Sequence, residues 1–77
     1  MQEYCYIKEV EKGKYWVHVV VKMGQGKHNR QDIKAPYVTT PRLSEDENYA
    51  NLMRFCSELR LVARAALNAR DGGLGHD

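Results

Sequence analysis

An α+β domain in the order β-β-β-α, a three-stranded antiparallel meander packed on one long C-terminal helix, is what this sequence predicts. Three observations carry the prediction. Residues 3–40 alternate in the manner of strands and are broken by two polar, glycine-bearing turns. Residues 44–70 place apolar side chains at helical spacing over one broad face. The whole chain has 77 residues, room for one domain, which we place at 1–71 with a C-terminal tail at 72–77.

The first strand, residues 3–10, sets Tyr4, Tyr6 and Lys8 on one face and Cys5, Ile7 and Glu9 on the other. Glu11-Lys12-Gly13-Lys14 then supplies a turn. Residues 15–23, YWVHVVVKM, are β-branched or aromatic almost throughout, which marks them as the central strand. Val17, Val19 and Val21 with Tyr15 form its apolar set and should meet the helix, leaving Trp16, His18, Val20 and Lys22 on the opposite face. Residues 24–31, GQGKHNRQ, read as a polar hairpin loop. Residues 32–40 read as a third strand, and Pro36, which has no ladder donor, confines that strand to an edge.

The helix is marked at both ends. Ser44 with Glu47 three residues later makes a capping box, and Glu45, Asp46 and Glu47 crowd the turn where the helix dipole favours negative charge. Asp71-Gly72-Gly73 offers a glycine stop, and Gly72 to Asp77 has no reason to be ordered. Leu52, Cys56 and Leu59 should join the valines in the core. The apolar face covers roughly 200° of the circumference at about 100° per residue, about twice what one small sheet needs. The helix is also roughly 40 Å long, against about 25 Å for a strand of this size. Surplus apolar surface of this kind marks an interface, so Phe55, Val62, Ala66 and Ala69 are expected to pair two copies as a homodimer.

Composition narrows the function classes. Apolar content of 43% and charged content of 29% are an ordinary globular balance. A formal net charge of +2 is too mild to indicate a partner by itself, so the placement of charge matters more than its total. The N-terminus lacks a signal-peptide pattern and no apolar run is long enough for a membrane span, which predicts a soluble, cytoplasmic protein without a membrane partner. Cys5 and Cys56 form no CxxC and fit reduced thiols better than a disulfide.

Chemistry-bearing motifs are absent. Gly24-Gln25-Gly26-Lys27 lacks the spacing, the Ser/Thr and the helix of a phosphate loop. Cys5 and His18 fall on opposite faces of the sheet, so they make no nucleophile and base. Cys5, Cys56 and a histidine lack the fourth ligand of a zinc site. No enzyme activity, catalytic residue, metal or cofactor is therefore expected.

What remains is a face. If Cys5 and Ile7 turn to the helix, then Tyr4, Tyr6, Lys8, Trp16, His18 and Lys22 share the open side of the sheet. Rings of this kind stack on bases and cations neutralise phosphates. Lys22, Lys27, His28 and Arg30 fall within nine residues with no acid before Asp32, extending that face into the hairpin. The element order resembles that of the plant GCC-box and phage-integrase arm-binding domains, in which one helix backs a three-stranded sheet; the likeness is one of topology and carries no residue across. The sequence thus predicts a small non-enzymatic module that binds nucleic acid through Tyr4, Tyr6, Lys8, Trp16, His18, Lys22, Lys27, His28 and Arg30. The alternative is a phage- or plasmid-encoded protein-interaction module or inhibitor, anti-CRISPR-like in size and style, that binds and blocks a larger host protein or complex.

Overall fold

The computed structural model describes residues 2–23 and 29–75, with residues 70–75 as backbone only. It has three antiparallel strands in an open sheet followed by one helix: β1 (Gln2–Glu11), β2 (Lys14–Lys22), β3 (Arg30–Val38) and α1 (Glu45–Gly75). The sheet order is β1-β2-β3, with the valine-rich β2 in the centre. Pro36 lies on the outer strand opposite Trp16, where its missing N–H leaves the ladder intact.

Register fixes the two faces. Cys5↔Val19↔Ile33 and Ile7↔Val17↔Ala35 form rows across the sheet under the helix, and Tyr15↔Tyr37 closes that face at one end. Val17, Val19 and Val21 are fully buried there, against Leu52, Cys56, Ala63 and Leu67 of α1. These helix residues are spaced by four, seven and four positions, intervals of one and two helical turns that keep one stripe on the sheet. Leu59 packs at the margin of the core, half buried.

The β1–β2 turn depends on Gly13, whose φ of +82° is a conformation that side chains disfavour. Its carbonyl accepts from the backbone N–H of Thr39 at 2.9 Å, which ties the end of β3 to the turn. The chain then reverses through residues 39–44 into the helix. Asn48 holds this reversal: its Oδ1 accepts from the Thr40 N–H at 2.9 Å and its Nδ2 donates to the Thr40 carbonyl at 3.0 Å. The capping box is present, with Ser44 Oγ accepting from the Glu47 N–H and Glu47 Oε1 accepting from the Ser44 N–H, both at 3.1 Å. Those bonds hold the Glu47 carboxyl below its ordinary range.

The helix runs from the β1–β2 turn toward the β2–β3 connection. Its far end is tied to β1 by Arg64, whose Nε donates to Glu3 Oε2 at 2.6 Å and whose second guanidinium nitrogen pairs with the same oxygen. Glu3 lies on the helix-facing side of β1 and its side chain is largely covered. The helix does not stop at Asp71-Gly72-Gly73 but continues to Gly75. Glycine permits a left-handed cap without compelling one, at a cost of about 1 kcal/mol in a helix interior, and no proline follows to force the break.

Candidate nucleic-acid interface

Among the described residues no helix covers the second sheet face. Along β1, β2 and β3 every Lys and Arg sits at an even-numbered position, and alternation sends those positions to this open side: Lys8, Lys14, Lys22, Arg30 and Lys34. Lys14 is held by Glu11 at 2.8 Å beside the turn. The other four lie over the body of the sheet, where the one carboxylate is Asp32. Glu3 and Glu9 have odd positions and face the helix side.

The open face is built in rows. Gln2↔Lys22↔Arg30 is followed by Tyr4↔Val20↔Asp32, Tyr6↔His18↔Lys34 and Lys8↔Trp16↔Pro36. Tyr6 and His18, directly opposite, stack with ring centroids 4.5 Å apart and planes 5° from parallel. Lys34 lies 4.5 Å from the Trp16 ring centroid and Lys22 lies 5.9 Å from that of Tyr4, each on the diagonal of its row. Cations and rings are thus interleaved as contacts, not only as neighbours in sequence. Tyr4 and Tyr6 remain 42% and 52% exposed.

Between the tyrosines of β1 and the charged side chains of β3 lies a shallow, open depression of about 260 Å³. Tyr4, Tyr6 and His18 stand on one side and Arg30, Asp32 and Lys34 on the other. Val20 forms its floor and is only 5% exposed although no helix covers it, because the larger side chains around it lean over. Arg30 Nε donates to Asp32 Oδ1 at 2.7 Å. That bond, and after it the opposite charge, holds the Arg30 guanidinium above its ordinary value.

The structure therefore brings Tyr4, Tyr6, Lys8, Trp16, His18, Lys22 and Arg30 onto one face. Lys27 and His28 lie outside the described residues. Arg30 belongs to β3 and not to the hairpin loop, because the ladder continues to the pair Lys22↔Arg30. Asp32, Lys34 and Val20 are members of the site that sequence reasoning passed over; the alternation of Ile33, Ala35 and Tyr37 was the signal that could have found Asp32 and Lys34.

On the helix, Phe55 is half buried and packs its ring 5.0 Å from that of Tyr37, within the domain's own core. Val62, Ala66 and Ala69 stay exposed, beside Leu61 and Ala65. No helix among the described residues is long and apolar enough to cross a membrane. Nor do three His, Cys, Asp or Glu side chains among them converge on a metal position. Cys5 and Cys56 face each other across the sheet–helix boundary, both as free thiols. Burial pushes the Cys5 thiol up to about 11, its hydrogen bond with Cys56 adds to the rise, and Arg60 pulls against it. Comparison of the chain with protein-family models, with curated proteins and with solved structures finds no match.

Proposed function

We propose that this protein is a non-enzymatic module that binds nucleic acid on the open face of its sheet. The observation that carries the reading is the segregation of charge: Lys8, Lys22, Arg30 and Lys34 share that face with four aromatic rings and one carboxylate. Cations at these positions can follow a phosphate backbone, and the rings between them offer π faces to bases. Because the cations stand on paired strands, the spacing between them is fixed before any ligand arrives. Affinity then costs less ordering of the protein.

The test is a salt titration of binding to random-sequence duplex and single-stranded DNA and RNA. Wild type is compared with the triple variant Lys8→Ala/Lys22→Ala/Lys34→Ala. Loss of three phosphate contacts flattens the log–log slope by about 0.9 per contact on duplex DNA or about 0.7 on single strands. Absence of binding by the wild type to all of these at low salt refutes the reading.

A second reading, a protein-interaction module or inhibitor of a larger host complex, draws support from the exposed apolar stripe Leu61, Val62, Ala65, Ala66 and Ala69. Salt separates the two. Binding through an apolar helix face changes little between low and moderate salt, where phosphate-dominated binding falls steeply.

A further inference from the structure

Asp32 is out of place on a face that binds phosphate. A carboxylate repels a polyanion, and each of its neighbours on that side is a cation, a ring or an apolar side chain. Its position is nevertheless firm. It stands on a paired strand, Arg30 Nε fixes Oδ1 at 2.7 Å, and the other oxygen, Oδ2, has no hydrogen-bond partner among the described residues. The side chain is 59% exposed and lines the depression, so the carboxylate is there without a burial penalty.

The depression itself has the form of a seat for one flat ring. Tyr4, Val20 and Asp32 make a single row across three strands, with strands about 4.8 Å apart, so the tyrosine and the carboxylate stand about 10 Å from each other. Val20 between them is short and apolar. A planar base laid across this row, on the side chains that close over Val20, meets a tyrosine ring on one side and presents its edge to a carboxylate on the other. At about 260 Å³ the depression is smaller than the roughly 300–1,000 Å³ of sites that enclose a drug-sized ligand. It suits a base whose sugar and phosphate remain outside, within reach of Lys22 and Lys34.

We infer that this depression seats a guanine of a single-stranded nucleic acid, with Asp32 as the residue that selects it; the inference rests on the nucleic-acid reading above. An ionised carboxylate only accepts hydrogen bonds. Guanine is the one common base whose pairing edge offers two adjacent donors, N1–H and N2–H, which a carboxylate accepts as a fork, one on Oδ2 and one on the lone pair of Oδ1 that Arg30 leaves. Adenine and cytosine each set one donor beside a ring nitrogen that repels the second oxygen. Uracil and thymine flank their single donor with two carbonyls. The pairing edge is occupied in a duplex, so the ligand must be unpaired at this position. Arg30 neutralises Asp32 enough for it to tolerate the nearby phosphates, and at the same time aims it.

The experiment measures binding, by fluorescence anisotropy at low salt, of labelled oligothymidylates that carry one central guanine, adenine or cytosine. Wild type should favour the guanine oligonucleotide by about tenfold, the scale of one bidentate base contact. Inosine, which lacks the N2 amino group, should lose most of that advantage, whereas 7-deazaguanine, altered only on its other edge, should keep it. Asp32→Asn should abolish the guanine preference without weakening binding to plain oligothymidylate, because it removes one negative charge from the face and sets an amide N–H against the guanine donors. Binding of all oligonucleotides alike by wild type, or a guanine preference that survives in Asp32→Asn, overturns the inference and leaves the sheet face as a general nucleic-acid surface. Absence of binding to every oligonucleotide overturns both.

Discussion

Leu67 and Leu61 allow the docking of the helix to be tested with one kind of substitution. They lie on the same helix, six residues apart, yet Leu67 is fully buried and Leu61 is 59% exposed. Leu67 is the last buried residue of α1 before the segment described as backbone only. Replacing it by alanine removes a side chain that has no exposure to regain and leaves a void above the valines of β2. Buried Leu→Ala substitutions cost about 2–5 kcal/mol, and a site at the edge of a small core, which can partly collapse, belongs nearer about 3 kcal/mol. At about 0.05–0.15 kcal/mol per residue, this chain has only about 4–12 kcal/mol in hand. Leu67→Ala should therefore lower the melting temperature by about 12–24 °C, at about 4–8 °C per kcal/mol for a domain of this size. Leu61→Ala should change stability by no more than about 0.5 kcal/mol, a shift of about 2–4 °C. Circular-dichroism melts of the two variants, read at several protein concentrations, decide the matter. Equal, small shifts would show that the C-terminal half of the helix does not rest on the sheet. A large, concentration-dependent shift for Leu61→Ala alone would place Leu61 in an interface between two copies, as the surplus apolar face predicts.

Three further outcomes follow from the described contacts. Gly13→Ala puts a Cβ at φ +82° and 3.0 Å from Thr39 Oγ1, so a loss of about 1–2 kcal/mol is expected in denaturant unfolding, and an unchanged midpoint would deny the strained turn. Cys5, pushed from an ordinary 9.0 to about 11, should alkylate about a hundredfold more slowly at pH 8 than an unfolded thiol; between those two values the unfolded thiol ionises and the folded one does not, so stability should decline as pH rises through that window. Ser44→Ala should cost about 1 kcal/mol but keep much of the acid-side loss of helix stability, because the backbone N–H of residue 44 still donates to the Glu47 carboxylate; Glu47→Gln should abolish that loss, since the lowered carboxyl contributes stability that vanishes as pH falls through its folded value, and a pH titration of helicity identical in wild type and Glu47→Gln would exclude the cap.

The parts of this molecule that were legible in the sequence are those with a short period. Alternation in β2 located the buried valines and the open-face Trp16, His18 and Lys22, and the pattern Ser44-Glu47 located the helix start. β3 was harder. Its sequence RQDIKAPYV mixes charges with a proline, which weakens the alternation by which Ile33, Ala35 and Tyr37 share the core side while Asp32 and Lys34 do not; pairing to β2 makes it plain. Arg30 looked like a loop residue because glycine and polar residues precede it without a strand pattern; only its pairing with Lys22 puts it in the ladder. Glu3 and Arg64 carry no signal at all in a chain read locally, since 61 residues separate the two ends of that ion pair. Alternation placed Val20 on the open face as well, but its burial there depends on neighbours from β1 and β3 that a reading of β2 alone does not contain.

The even-numbered cations have a consequence during folding, before any ligand is present. A strand that slips by one residue exchanges its two faces completely. For β2 such a slip would drive Lys22, His18 and Trp16 beneath the helix and carry Val17, Val19 and Val21 into water; for β3 it would bury Lys34 and Arg30 in place of Ile33 and Ala35. Each misaligned form would place an unpaired charge in an apolar interior, a penalty of several kcal/mol that a chain of 77 residues cannot absorb. The charges that face outward in the native sheet thereby act as a proofreading code for its alignment: they contribute little to the correct structure and make every adjacent register prohibitive.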